Sequence, residues 1–74
     1  MNLDELVEVD REKMGGTPCF SGTRVPIKNL FDYLETGDSL ETFLGDFPTV
    51  SREQAQGVLE ASRELLLNSY EIAA

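Results

Sequence analysis

The feature that most constrains this chain is a series of three amphipathic segments that begins at Pro26. In the first segment, apolar residues recur three or four positions apart, which is the spacing of one face of an α-helix. These residues are Ile27, Leu30, Phe31 and Leu34. Proline suits the first position of a helix, and glycine suits the position just past its end. Pro26 and Gly37 therefore predict a first helix over residues 26–36.

A second helix is predicted directly after Gly37. Asp38 and Glu41 have the spacing of a capping box, in which each side chain accepts a hydrogen bond from the backbone N–H of the other residue. Pro48 cannot continue a helix because it lacks a backbone N–H, so this segment is expected to end near Asp46. The apolar stripe of this helix consists of Leu40, Phe43, Leu44 and Phe47.

The third segment has the most complete start signal. Ser51 and Gln54 form a second capping box, and Val50 is placed to pack against Ala55 as a hydrophobic staple. We therefore predict a third helix over residues 52–68. Its apolar face consists of Ala55, Val58, Leu59, Ser62, Leu65 and Leu66.

The N-terminal third of the chain has a different pattern. Val7 and Val9 alternate with acidic residues, as in a short, half-exposed strand. Glycine-containing turns stand on both sides of the apolar pair Cys19–Phe20. Paired turns around two-residue apolar segments predict small β-bridges or a hairpin rather than a helix.

Three short helices with one apolar stripe each can bury those stripes only against one another. We therefore predict a mainly α fold with a three-helix, homeodomain-like (helix-turn-helix) core over residues 26–68. An irregular N-terminal arm with short β-strands precedes it over residues 1–25, and a frayed tail follows over residues 69–74. The 74 residues are expected to form a single domain, because a chain of this length builds at most one small core.

The charge balance limits the possible partners. Six Lys and Arg residues stand against fourteen Asp and Glu residues, which gives a net charge of −8. Dedicated nucleic-acid binders are usually basic, because neutralising phosphates supplies most of their affinity. The acidic balance instead favours a basic partner protein.

The sequence offers little chemistry for catalysis or metal binding. It has no histidine and one cysteine, Cys19, which excludes zinc sites of the Cys/His type. We expect no enzyme activity, no metal and no cofactor. The lone cysteine favours a reducing cytoplasm. No apolar run approaches the roughly 20 residues of a membrane span, so no membrane insertion is expected.

One block of the arm resembles a known family. Residues 15–26 read GGTPCFSGTRVP, and paired glycines, a proline, an apolar pair and then G-T-R-[IV]-P look like the signature of the DUF433 family. The resemblance extends over residues 7–66. It implies a homeodomain-like helical fold and a likeness to VapB-type antitoxins, which are small proteins paired with a PIN-like ribonuclease toxin.

The leading hypothesis is therefore an antitoxin-like protein that binds and neutralises a PIN-like nuclease. The alternatives are a DNA-binding transcriptional regulator and an adaptor domain with neither activity. The third helix would be the recognition helix, with Ser51, Arg52 and Gln56 as possible DNA-binding residues. Glu53 beside them repels phosphate, so DNA binding is disfavoured for the isolated protein.

The predicted partner-binding residues are Gly15, Gly16, Thr23, Arg24, Leu67 and Tyr70. The glycines, with Gly22, either hold an anion with their amides or supply positive φ angles for turns. Arg24 either forks onto a carboxylate of the partner or docks onto the C-terminal carbonyls of a helix in its own domain. Leu67 and Tyr70 are harder to place inside a monomer. Either the helix frays before them, or they form an apolar patch that supports a homodimer.

Overall fold

The structure, a computed structural model, describes residues 2–70. It is mainly helical, with a short antiparallel sheet of two strands near the N-terminus, and this level of the predicted fold class is confirmed. The elements in chain order are α1 (Leu3–Leu6), β1 (Val7–Glu8), a single 3₁₀ turn (Met14–Gly16), β2 (Cys19–Phe20), α2 (Ile27–Glu35), α3 (Leu40–Asp46) and α4 (Arg52–Tyr70). The homeodomain-like arrangement of α2, α3 and α4 stays a prediction.

The arm contains a pair of short strands and two isolated bridges, in line with the predicted bridges or hairpin, and one helical turn that the sequence did not predict. Strands β1 and β2 pair antiparallel, with Val7 opposite Phe20. Helix α1 is a single turn whose first N–H groups are capped by Asn2, since the Asn2 side chain accepts from the Glu5 N–H at 3.2 Å. The turn faces its one buried residue, Leu6, towards the core.

The start of α2 differs slightly from the prediction. Pro26 is the N-cap rather than the first helical residue, with an extended backbone (φ −62°, ψ 140°). The reason is that Pro26 also forms an antiparallel bridge with Cys19, and the following Ile27 N–H donates to the Pro18 carbonyl at 3.0 Å. The first residue of the predicted helix therefore belongs to the arm.

The N-cap of α3 is Ser39, so the predicted capping box on Asp38 is wrong. The Ser39 hydroxyl accepts from the Thr42 N–H at 3.1 Å. Asp38 is used differently, because its N–H donates to the Tyr33 carbonyl at 2.9 Å and closes the end of α2. Gly37 makes this closure possible with a φ of 90°, as in a Schellman-type helix end. The predicted end of α3 at Asp46 is confirmed.

The start of α4 follows the prediction closely. The Ser51 hydroxyl accepts from the Gln54 N–H at 3.0 Å, and the Gln54 side chain accepts from the Ser51 N–H at 3.0 Å, which is the predicted capping box. The far end does not follow it. Ser69 and Tyr70 are helical, so the predicted tail does not begin at residue 69, and its remaining residues, 71–74, lie outside the described residues.

The core joins the arm to the helices. Its largest fully buried side chains are Leu6, Phe20, Leu30 and Phe43. Phe43 of α3 stacks near three other rings, with centroid distances of 5.1 to 6.0 Å to Phe47, Tyr33 and Phe20. Two of these four largest buried side chains therefore come from the arm, which is an integral part of the core rather than an extension of it.

Glycine at position 57 is what allows the arm to approach α4. A Cβ atom added there would lie 3.0 Å from both terminal carbons of Leu6. Because Leu6 is fully buried, its side chain has little room to move away. The missing side chain in the first half of α4 is therefore a packing requirement of the α1 contact, although glycine weakens a helix interior.

Candidate functional site

A shallow groove lies where the arm meets the connection between α3 and α4. Its lining residues are Lys13, Gly22, Thr23, Arg24, Val25 and Thr49. Two of the six are basic, in a chain whose net charge is −8. Thr23 and Arg24 were predicted as partner-binding residues, and the groove brings both together with Lys13 and Thr49, which sequence reasoning missed.

A rigid turn presents Arg24 at this groove. The neighbours of Arg24 on either side, Thr23 and Val25, are buried. The Thr23 hydroxyl donates to the Phe20 carbonyl at 2.8 Å and accepts from the Val25 N–H at 3.0 Å. The Phe20 N–H in turn donates to the Val25 carbonyl at 3.0 Å. Arg24 is thus an exposed residue of a turn that internal hydrogen bonds hold in place.

The Arg24 side chain points to solvent. Within residues 2–70, no hydrogen bond or salt bridge involves its guanidinium group, and the residue is exposed. The alternative in which Arg24 docks onto helix carbonyls of its own domain is therefore wrong for the described part of the chain. The turn holds the backbone in place while the side chain has its five N–H donors available.

A carboxylate ties the two turns of the arm together at the rim of the groove. The Glu8 side chain accepts from the Gly22 N–H at 3.1 Å and from the Lys13 ammonium at 3.3 Å. Both contacts lower the pKa of Glu8 below its ordinary value of 4.5, and the hydrogen bond from the Gly22 N–H has the larger effect. Glu8 offsets much of the charge of Lys13, so Arg24 is the dominant free cation of the groove.

The glycines predicted for partner binding serve as turn residues. Gly15, Gly16 and Gly22 all have positive φ angles, between 62° and 86°, which confirms the turn interpretation. The Gly16 N–H donates to the carbonyls of Asp10 and Lys13. The anion-holding interpretation applies inside the chain at one position, because the Gly22 N–H holds the Glu8 carboxylate. Gly15 and Gly16 do not line the groove.

The possible DNA-binding residues lie apart from this groove. Ser51 is occupied as the N-cap of α4. Arg52 has an Nη2 atom 2.6 Å from a carboxylate oxygen of Glu41, so an acidic group of α3 offsets its charge. Gln56 is exposed and lines a second shallow groove on α4, whose acidic members are Glu53, Glu60 and Glu64. Neither the Arg52–Glu41 pair nor the acidic groove beside Gln56 attracts phosphate.

The last two predicted partner-binding residues lie at the far end of α4. Leu67 is 50% exposed and Tyr70 is 72% exposed, and both are helical, so the helix does not fray before them. The predicted buried positions Leu65 and Leu66 are exposed as well, at 65% and 61%. The prediction that they belong to the core is wrong, because the body of the protein ends before the helix does.

Three further observations concern residues 2–70. No group of three or more His, Cys, Asp and Glu residues in this part of the chain is arranged to hold a metal ion. Cys19 is buried, and its thiol donates to the Thr17 carbonyl at 3.4 Å. None of the helices in the described range has the length and apolar character needed to cross a membrane.

A comparison with family models decides the relationship of the chain. The model described as "Protein of unknown function (DUF433)" matches residues 7–60, which is more than half of the chain. The chain belongs to the DUF433 family. The matched segment includes both turns of the arm and the whole groove around Arg24, and it ends ten residues before Tyr70.

A solved structure agrees with this assignment. A DUF433 member from Anabaena variabilis ATCC 29413 superposes on this DUF433 chain with a TM-score of 0.70 and 20% sequence identity. The superposition covers 97% of this chain and 72% of that protein. At this level of identity the likeness shows a shared fold. A search of curated proteins found no match.

Proposed function

We propose that this DUF433 protein is a non-enzymatic, antitoxin-like protein that binds and neutralises a PIN-like ribonuclease. The observation that carries the proposal is the exposed Arg24 guanidinium, which a rigid turn presents at a groove without an internal partner in the described residues. The identity of the partner comes from the resemblance of residues 15–26 to the family signature and, through it, to VapB-type antitoxins.

The chemistry of an arginine suits this task. The planar guanidinium forms two parallel hydrogen bonds with a carboxylate, which gives both energy and orientation. A PIN-like nuclease holds divalent metal with a group of acidic residues. Arg24 placed among those acids would take the position of the metal and obstruct the site. The fixed backbone of Thr23 and Val25 reduces the ordering cost of binding to that of one side chain.

The acidic surface contributes in a different way. Glu53, Glu60 and Glu64 line one groove of α4 and are exposed. Charges at the rim of an interface mainly accelerate encounter and depend on salt, whereas buried pairs decide how long the complex lasts. We therefore expect the −8 charge to steer the protein towards a basic nuclease surface and Arg24 to hold it there.

The experiment is co-expression with a PIN-like nuclease encoded beside this protein, followed by size exclusion and calorimetry. Arg24→Gln is expected to weaken the complex by about 30-fold or more, which is about 2 kcal/mol. The matched control is Arg11→Gln, which removes an exposed arginine outside the groove and is expected to change the affinity by less than about 3-fold. Inhibition of RNA cleavage should follow the same order.

Two results would contradict the proposal. Separate elution of the two wild-type proteins at micromolar concentration would exclude a stable complex. Equal effects of Arg24→Gln and Arg11→Gln would show that only net charge is recognised. Both variants should fold, because within residues 2–70 neither guanidinium has a hydrogen-bond partner.

A transcriptional regulator is the second candidate. The pair α3 and α4, joined by residues 47–51, has the proportions of a helix-turn-helix, and a homeodomain-like arrangement of α2 to α4 is part of this proposal. The pairing of Arg52 with Glu41 counts against direct DNA contact. We expect the isolated protein not to shift random DNA near physiological salt, and any promoter binding to require the complex. Tight random-duplex binding with a steep salt dependence in a gel-shift titration would refute the charge argument.

The remaining alternative is an adaptor domain with neither activity, and the same co-expression experiment distinguishes it. We propose the cytoplasm as the setting, because a lone buried cysteine needs no oxidising compartment.

A further inference from the structure

The apolar stripe that anchors α4 continues beyond the body of the protein. Ala55 and Val58 are buried on this stripe. At helical spacing the same face continues through Ser62, Leu65 and Leu66, yet both leucines are more than half exposed. The pattern of a buried helix face is thus present over the last two turns of α4. The described residues meet that face only at its edge, where Asn2 and Leu3 of the arm line a shallow groove with Leu65 and Asn68.

Two more side chains enlarge this surface. Leu67 and Tyr70 are half exposed or more, so four large apolar side chains occur within residues 65–70. This six-residue segment has no charged residue, whereas the whole chain carries twenty, six basic and fourteen acidic. Monomeric proteins rarely expose a contiguous apolar patch without a use for it. We call residues 62–70 the projecting segment.

Charge decides which partner suits the uncharged part of the projecting segment, residues 65–70. A basic nuclease would meet no carboxylate within residues 65–70, and an acidic partner would meet no cation there. A second copy of this chain meets an identical neutral, apolar surface. The remaining obstacle to self-association is electrostatic repulsion, because each copy of the chain carries a net charge of −8.

An antiparallel pairing reduces that repulsion. The projecting segment extends eight residues beyond Ser62, which at 1.5 Å per residue is about 12 Å of helix. Two such segments laid antiparallel place the acidic bodies at opposite ends of the pair. A parallel pairing would bring the two acidic bodies side by side, where their charges are closer and less screened by salt.

The same arrangement gives Arg63 a favourable position. Arg63 is exposed, and its contact with Glu60 of the same helix is long, at 3.5 Å. In an antiparallel pair, Arg63 of one copy lies beside the last turn of the other α4. A cation is stabilised there by the face of Tyr70.

We propose that two copies of this chain associate through an antiparallel pairing of their projecting segments, with Leu66 near the two-fold axis. The interface is isologous, because the same patch contributes from both sides. It belongs at the small end of protein interfaces, so we expect a micromolar dissociation constant. This association uses a surface distant in sequence from Arg24 and is independent of the proposed nuclease binding.

Sedimentation equilibrium over a wide concentration range tests the association. The wild-type chain should approach twice 8.2 kDa, and Leu66→Glu should raise the dissociation constant by at least about 30-fold. The matched control is Val9→Glu, which places the same charge at an equally exposed apolar position in the arm and should leave the dimer intact. Circular dichroism checks that both variants are folded. A wild-type chain that stays monomeric at millimolar concentration would refute the proposal, as would dissociation by Val9→Glu to the same extent.

Cross-linking tests the direction of the pairing. Arg63→Cys and Tyr70→Cys variants, mixed and mildly oxidised, should form mainly the mixed disulfide, because antiparallel packing brings position 63 of one copy beside position 70 of the other. Cys19 is buried and should not interfere. If disulfides form only between two copies of the same variant, the pairing is parallel and the proposed geometry is wrong.

Discussion

The two halves of α4 form one continuous helix in opposite surroundings. Residues 52–62 carry the buried side chains of Ala55 and Val58 and contact the arm at Gly57. Residues 63–70 have no buried side chain among them. Both halves have leucines at helical spacing, so amphipathic periodicity identifies a face that can be buried without indicating how far the rest of the fold extends.

This difference also divides the energetics of the helix. The inner half is stabilised by tertiary burial, which supplies most helical stability in proteins. The outer half is two turns long, too short to be stable as an isolated helix. Its order depends on continuity with the inner half. The outer half therefore contributes little to the stability of one copy.

Introducing an aspartate into each half should give the largest contrast. Val58→Asp puts an unpaired carboxylate in the core and is expected to cost roughly 4 kcal/mol, most of the stability of a small domain. Leu66→Asp, on the exposed half, should change the free energy of unfolding by less than about 0.5 kcal/mol when measured on dilute, monomeric protein. Urea unfolding monitored by circular dichroism compares the two. A similar loss in both would mean that the outer half is packed against something in the monomer.

A second test asks whether the arm holds the inner half. Alanine for glycine in an open helix position should stabilise by up to about 1 kcal/mol, as expected for Gly45→Ala, which has no neighbour within 4 Å. Gly57→Ala places a Cβ 3.0 Å from buried Leu6, and the crowding should cancel this gain or reverse it. We expect Gly57→Ala to be less stable than Gly45→Ala by at least about 1 kcal/mol in thermal unfolding. Equal stabilisation by both would show that Leu6 yields easily.

Acid titration examines the arm itself. Because the folded pKa of Glu8 is lowered, the stability contributed by its carboxylate is fully present above the ordinary value of 4.5 and is lost as the pH falls through the folded value. The difference in free energy of unfolding between wild type and Glu8→Gln should therefore be constant near neutral pH and shrink below about pH 4.5. Glu12→Gln, which removes a charge from an exposed position nearby, is the control. A pH-independent difference for Glu8→Gln would contradict the role of the Gly22 and Lys13 contacts.

The smallest expected effect concerns Tyr33, which packs in the aromatic cluster of the body. Its hydroxyl donates to an Asp46 carboxylate oxygen at 2.7 Å, and this bond, followed by partial burial and the charges of Asp46 and Asp38, raises the pKa of Tyr33 above 10.0. In a Tyr70→Phe background, ultraviolet titration should place the Tyr33 midpoint above 10.0. Asp46→Asn should bring the midpoint down. No change on removing Asp46 would mean that the bond between α2 and α3 is absent in solution.

Local signals in the sequence predict much of this fold. The capping pair Ser51 and Gln54 marks the start of α4, and Pro48 marks the end of α3. Two adjacent residues with capping side chains follow Gly37, and the sequence does not choose between them. The choice of Ser39 depends on the closure of α2 by the Asp38 N–H, and residue type alone does not reveal which of the two residues closes α2 and which caps α3.

The site was less predictable than the helices. Arg24 and Thr23 were identified from a block of sequence, and the turn geometry of the glycines followed from residue type. Lys13 joins them only because the hairpin register brings its turn next to Gly22, and no spacing rule encodes that contact. Helix α1 was missed for a related reason. A single turn has no periodicity, and its order depends on Leu6 packing on the bare backbone of Gly57.

One side chain at the start of α4 has a consequence for which sequences can form this fold. Gln54 caps the helix with its amide oxygen, and its amide nitrogen donates to the Ser21 carbonyl in the arm at 2.9 Å. Glutamate serves equally well in a capping box, but an ionised carboxylate has no proton to donate to a carbonyl. Two residue types that are interchangeable for starting a helix are therefore not interchangeable here. The neutral amide of Gln54 joins the start of α4 to Ser21, 33 positions away in the chain. The need for an amide at this position comes from hydrogen-bond chemistry rather than from shape.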